Sequence, residues 1–368
     1  MKEKIKQWIR YREIRSWYEK YERYLMPGTL VLGVCADWLT FATIDITSSF
    51  VLLGVYALVA GGTIAYLHSW DANRVPQTNV LRYLRLASPL LIQFTFGALL
   101  SGTFIFYFFS GTIFVSWPLI ALFVILMISN DVFRRHYLRP AVQLGVYFFI
   151  VFSLTAIILP FVFHKIGALI FLLSSVISLF FIVGFIAFLE KVTQVIKHQR
   201  TSLIVSVGAI TIFMNGLYFL NIIPPVPLSL RDAALAHDIV RVRGEYRLSI
   251  EDQSWWQNLL PRETFHKRSG EKMYLYTAIY APKNFGTTVV HHWQYFDAEK
   301  GRWMSRDRLR FSITGSTSRG YRGYSVKSSV QPGKWRVDVE TVRGQVLGRV
   351  NFSVAATEEP MEFETIVK

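Results

Sequence analysis

Apolar positions follow two regimes along the chain. From residue 26 to 223 they form near-continuous runs, at about 26–43, 49–68, 88–108, 112–129, 141–163, 166–189 and 202–223. A bilayer core takes roughly 20 apolar residues per helix, and backbone groups in lipid must bond within their own segment. The runs therefore predict seven transmembrane helices. From about residue 272 the period becomes two. "KMYLYTAIYAP", "TTVVHHWQYFD", "DRLRFSIT", "YRGYSVKSSV", "GKWRVDVETV" and "QVLGRVNFSV" read as strands. In the fifth, Trp335, Val337 and Val339 share one face, and Lys334, Arg336, Asp338 and Glu340 the other. Alternating strands separated by regular turns predict an Ig-like antiparallel sandwich.

Between the two regimes stands "NIIPPVPLSL", whose Pro224, Pro225 and Pro227 end the last helix. "RDAALAHDIV" predicts a short helix. "SWWQNLLP" places Trp255 and Trp256 either at headgroup level, as interfacial anchors, or buried against the β domain. The expected organisation is a basic amphipathic tail (1–25), a seven-helix membrane domain (26–223), a Pro-rich linker and interfacial segment (224–265), an Ig-like β-sandwich (266–357) and an acidic C-terminal tail (358–368). The fold class is thus an α-helical integral membrane bundle followed by an all-β domain.

Charge adds orientation. Lys2, Lys4, Lys6, Arg10, Arg12, Arg15, Lys20 and Arg23 precede the first run. Arg74, Arg82 and Arg85 follow the second, Arg134, Arg135 and Arg139 the fourth, and Lys191, Lys197 and Arg200 the sixth. The intervening loops hold only Lys165. By the positive-inside rule the N-terminus is cytoplasmic, and an odd number of spans puts the β domain outside the cytoplasm. The tail carries Trp8 and Trp17 among further aromatics at helical spacing, which suits an anchor on the membrane surface. The expected location is a bacterial inner membrane.

The net charge of +15 would suggest nucleic acid in a soluble chain. Here loop asymmetry accounts for much of it, so nucleic acid is not an expected partner. The expected partners are the bilayer and an anionic envelope polymer, or a membrane or periplasmic protein. Cys35 is the only cysteine, so no disulfide forms within one chain.

Candidate chemistry is sparse. Asp37, Gln93 and Asn215 are polar positions within apolar runs. Asp37 reads as a proton or cation site, as an interhelical hydrogen bond, or as a residue of a helix so short that it reaches the outer interface. His291 and His292 are adjacent on a strand and point to opposite faces, so they do not chelate one metal. Ser325 and Lys327 share a strand face, as a serine–lysine dyad would. No residue is assigned a catalytic, cofactor or metal role. "SRGYRGYS" reads as a turn or bulge at Gly320 and Gly323, or as an anion or sugar site built from Arg319, Tyr321, Arg322, Tyr324 and Lys327.

"YLYTAIYAPKNFGTTVVHHWQYFD", "GYRGYSVKSSVQPGKWRVDVET" and "GRVNFSV" resemble the bacterial family called domain of unknown function 2914. "QFTFGALLSGTFIFYFFSG" and "LYFLNIIPPVPLSL" resemble the multi-helix segment that accompanies that domain in some members. The resemblance implies a bacterial origin and this architecture. It brings no activity and no functional residues. The leading expectation is a non-enzymatic binding module. The alternatives are a transporter or sensor using Asp37, and an envelope enzyme with a cleft of converging polar groups.

Overall fold

The computed structural model describes Tyr21, Leu32 and residues 46–132, 139–251, 263–282, 285–314, 320–358 and 361–368. The first apolar run with Asp37, the tail with Trp8 and Trp17, the pair Trp255 and Trp256, and Arg319 lie outside these residues. The chain divides into a helical unit and a β-rich unit.

The helices are α1 (Ile46–Asp71), α2 (Asn79–Phe109), α3 (Ile113–Val132), α4 (Pro140–Phe163), α5 (Ala168–Val192), α6 (Gln194–His198) and α7 (Arg200–Phe219). Among the described residues five of them, α1, α2, α4, α5 and α7, are long and apolar enough to cross a membrane, and α3 has a shorter apolar stretch. Small residues let these helices approach. A Cβ at Gly61 of α1 would sit 2.4 Å from the Tyr147 hydroxyl of α4. That hydroxyl donates to the Ala57 carbonyl at 2.9 Å. Gly145 of α4 makes the same kind of room for Ser206 of α7.

The β-rich unit holds β1 (Ser229–Ala236), β2 (Asp238–Val242), β3 (Glu245–Glu251), β4 (Glu263–Lys267), β5 (Met273–Tyr280), β6 (Gly286–Asp297), β7 (Arg302–Thr314), β8 (Tyr321–Lys327), β9 (Gly333–Thr341), β10 (Val346–Ala356) and β11 (Phe363–Val367). They form three sheets, ordered β1-β5-β8, β4-β10-β9-β6-β7 and β11-β3-β2. Every pairing is antiparallel except β4 on β10.

The central strand of the β1-β5-β8 sheet, β5, is covered on both faces. Met273, Leu275 and Ile279 of β5 turn to the five-stranded sheet, joining cores with Trp293, Trp335, Val337, Phe352 and Val339. Tyr274, Tyr276 and Ala278 turn the other way, against Ile239, Tyr246, Leu248 and Ile366 of the β11-β3-β2 sheet. That is why β5 is a continuous apolar run, as expected of a strand covered on both sides.

Two expectations are corrected here. "RDAALAHDIV" forms β1 and β2, not a helix. Its alanines favour helix locally, but Leu235 enters one core while Ala234 and Ala236 let the outer sheet close on the other side. The segments expected as linker and tail are also folded. β1, β2 and β3 occupy 229–251, and β11 pairs with β3 through Phe363↔Glu251 to Val367↔Arg247. Residues distant in sequence thus add a third layer to the expected two.

Candidate functional site

β8 answers what "SRGYRGYS" does over its described part. Gly320 has φ 80°, and a Cβ there would lie 2.9 Å from the Ile279 carbonyl oxygen. Gly320→Ala is expected to cost about 1–3 kcal/mol. Gly323→Ala should be near neutral, because the nearest atom is 3.5 Å from the added Cβ. Thermal unfolding of the two variants checks the contrast.

Past the turn, β8 splits the candidate residues between its faces. Tyr321 stacks on Phe311, with rings 14° apart. Lys327 pairs with Asp307, its Nζ 5.5 Å from the Trp335 ring centre. On the opposite face Arg322 donates to the Lys368 carbonyl at 2.8 Å and the Gly244 carbonyl at 2.9 Å, lying over the Tyr246 ring. Tyr324 is exposed beside Tyr246 and Tyr274. Arg322 thus clasps the outer three-stranded sheet, and these residues do not converge on one pocket. The serine–lysine pairing is corrected too: Ser325 partners His291 and Trp293, not Lys327.

A denser constellation lies on the five-stranded sheet, on the face turned away from the cores. Register aligns Arg349, Asp338, His292 and Arg308 across β10, β9, β6 and β7. Asp338 and Glu340 are buried there, although both are acids on a polar face. Asp338 accepts two bonds from Arg349 and one from Gln294 at 3.0 Å. Glu340 accepts from Arg308, and His292 lies 3.5 Å away. Gln294 also takes both Nε and Nη2 of Arg336, at 3.1 and 2.7 Å. Arg336 lies 4.5 Å over the Trp303 ring, and Lys334 lies 5.8 Å over Phe296, which packs on Trp303.

Burial pushes the Glu340 carboxyl above its usual range, against the pull of His292 and Arg308. Burial, with the nearby Arg349 charge, lowers the Arg336 guanidinium, which still stays charged. The arrangement fixes Arg308 and Arg349 through carboxylates and Arg336 through Gln294 and the Trp303 ring, and a guanidinium so held can meet a planar anion.

Residues 286–354 match the model of the family described as protein of unknown function (DUF2914). The DUF2914 match runs from β6 to most of β10 and includes every residue of this network. No curated protein matches the chain. The solved structures similar to the chain include two at 11% identity. One is a β-glucosidase from Listeria innocua in complex with gluconolactone, over 34% of this chain and 16% of that one, with TM-score 0.19. The other is the Pseudomonas fluorescens alkylpurine DNA glycosylase AlkC bound to DNA containing an abasic site analog, over 92% and 99%, with TM-score 0.23. Scores this low carry no argument about fold or activity.

Two further sites in the β-rich unit are built on histidines. His291 is fully buried between sheets, with Nδ1 2.8 Å from Ser325 Oγ and Nε2 3.0 Å from Thr277 Oγ1. Burial pushes it down to about 3, so it is neutral. Its neighbour His292 faces the other way, as strand alternation predicts.

His237, between β1 and β2, contacts Glu271 at 2.7 Å through Nδ1 and Glu251 at 3.1 Å through Nε2. Glu251 also holds His266, at 2.8 Å. Burial alone would lower His237, but the bonds and charges of Glu251 and Glu271 outweigh it and raise its pKa. Burial would raise Glu251, but His237 and His266 reverse it and lower its pKa.

The histidine's stabilisation is therefore complete below its ordinary 6.5 and is lost as pH rises through the folded value. The carboxylate's is present above its ordinary 4.5 and is lost as pH falls through its own folded value. The thermal midpoint of the β-rich unit should peak between these limits and fall on the alkaline side. His237→Gln should flatten that alkaline limb in a melting series across pH.

In the helical unit Gln93 is buried in α2. Asn215 of α7 donates to Ser175 of α5 at 3.0 Å and to the Thr211 carbonyl at 2.8 Å. His68 and Gln143 make a further polar contact, at 3.3 Å, that the sequence did not single out. Among the described residues no group of three or more His, Cys, Asp or Glu side chains could hold a metal ion.

Proposed function

We propose that this is a bacterial inner-membrane protein with seven spans and a cytoplasmic N-terminus. It presents an extracytoplasmic Ig-like sandwich, thickened by a third sheet, as a non-enzymatic binding module for an anionic envelope polymer. The membrane reading is supported by the five long apolar helices and by the alternation of basic loops.

One observation carries the binding role. Arg308, Arg336, Arg349 and Lys334 are set on one sheet face by Asp338, Glu340, Gln294 and the rings of Trp303 and Phe296. Binding of the purified full chain to immobilised dextran sulfate should be salt-sensitive and should weaken several-fold in Arg336→Gln. Salt-insensitive binding, or an unchanged variant, overturns the module. Reporter fusions at Lys368 test the orientation separately.

A further inference from the structure

We propose that the groove between α5 and α7 binds an anionic phospholipid. One acyl chain lies along Val183, Ile186, Ile204 and Gly208, and the phosphate faces Arg200. The groove has a volume of about 520 Å³ and is lined almost wholly by apolar side chains. That is the size of a small-molecule site, not of a packing defect.

Its charged groups are confined to one end, where Glu190 and Arg200 lie; Thr211 is the only other polar lining side chain. From Arg200 to Ile212 the helix rises about 18 Å, close to the roughly 15 Å depth of one leaflet. A single chain of one leaflet therefore fits its length. Gly208 opens the wall, since a Cβ there would meet no atom within 4 Å. α5 and α7 are also the outlying helices: 28% of each apolar window is buried, against 67% in α2 and 61% in α4.

Charge at the mouth selects the headgroup. Arg200 is 70% exposed and only 3.8 Å from Glu190, a loose pair that leaves guanidinium donors for a phosphate. Lys191 and Lys197 are exposed on the same helical hairpin, with no acidic partner among the described residues. A basic end on an apolar groove between membrane helices, on the cytoplasmic side assigned above, suits an anionic lipid. This charge favours a lipid over a second apolar helix as the occupant.

The inference rests on the membrane-spanning reading. The test is native mass spectrometry of the detergent-purified full chain with added dioleoyl phosphatidylglycerol or dioleoyl phosphatidylcholine. Phosphatidylglycerol adducts should persist under activation that strips phosphatidylcholine. Gly208→Leu, which puts a side chain into the open space at that wall, should abolish them. Arg200→Gln should reduce the preference roughly five-fold, the effect of one basic side chain near anionic lipid, and Arg200→Lys should restore most of it.

Equal retention of the two lipids overturns the site, as does a selective adduct indifferent to Gly208→Leu. So does a dimer that Gly208→Leu converts to monomer, because a second copy then fills the groove. Alkaline carbonate extraction separates the two failures. A chain released by carbonate refutes the membrane reading itself, whereas a retained chain without a selective adduct refutes only the lipid site.

Discussion

Trp293→Ala is expected to destabilise the β-rich unit by about 4 kcal/mol, the cost of removing a fully buried large aromatic. Its ring is wholly enclosed in the core of Leu275, Trp335, Val337 and Phe352, and meets Phe352 edge-on at 6.2 Å. Its Nε1 donates to Ser325 Oγ at 3.2 Å. The cavity would open at the junction of β6, β9 and β10 while Ser325 lost a donor. For a unit of this size the thermal midpoint should fall on the order of 10 °C. Trp293→Phe separates the two effects. It keeps most of the apolar volume and loses the donor, so about 1–2 kcal/mol should go. A Trp293→Ala variant melting within a degree of the parent would show that these sheets do not share one cooperative core.

Asp338→Ala should cost about 3 kcal/mol for a different reason. Removing one member of a buried pair strands the other. Arg349 would lose both its carboxylate bonds, and Gln294 would lose one acceptor. The double variant Asp338→Ala with Arg349→Met should recover part of the loss, because the stranded charge goes too. If the double variant is as unstable as the sum of the singles, the pair is not coupled. Since Gln294 also positions Arg336, Asp338→Ala should weaken dextran sulfate binding beyond the effect of stability alone.

Much of the β-rich unit was legible because strand alternation is a local signal. "GKWRVDVETV" divides into Trp335, Val337 and Val339 on one face and Lys334, Arg336, Asp338 and Glu340 on the other, and β9 places them so. Pairing was not legible. Arg349 meets Asp338, and Arg308 meets Glu340, only through the order and register of neighbouring strands. The histidine at 237 looked ordinary in "ALAHDIV". Its glutamates come from the end of β3 and the turn before β5, and no spacing announces that meeting. The residues of "SRGYRGYS" were visible as a cluster, but alternation along β8 sends Arg322 and Tyr324 away from Tyr321 and Lys327.

The sequence by itself determined the two regimes, because each depends on interactions with a surrounding medium or a local period. A run of about 20 apolar residues predicts a span whatever its neighbours do, and period-two alternation predicts a half-buried strand. The chain's charge pattern likewise carried an expected orientation without any packing. Only the tertiary structure decided the third sheet, in which the C-terminal residues paired with β3, and the strand character of the alanine-rich β1, which pairs with β5 beneath it. Those choices depend on apolar area buried between residues distant along the chain, as where β11 meets β3. Local propensity, worth a fraction of a kcal/mol per residue, gives way to such burial.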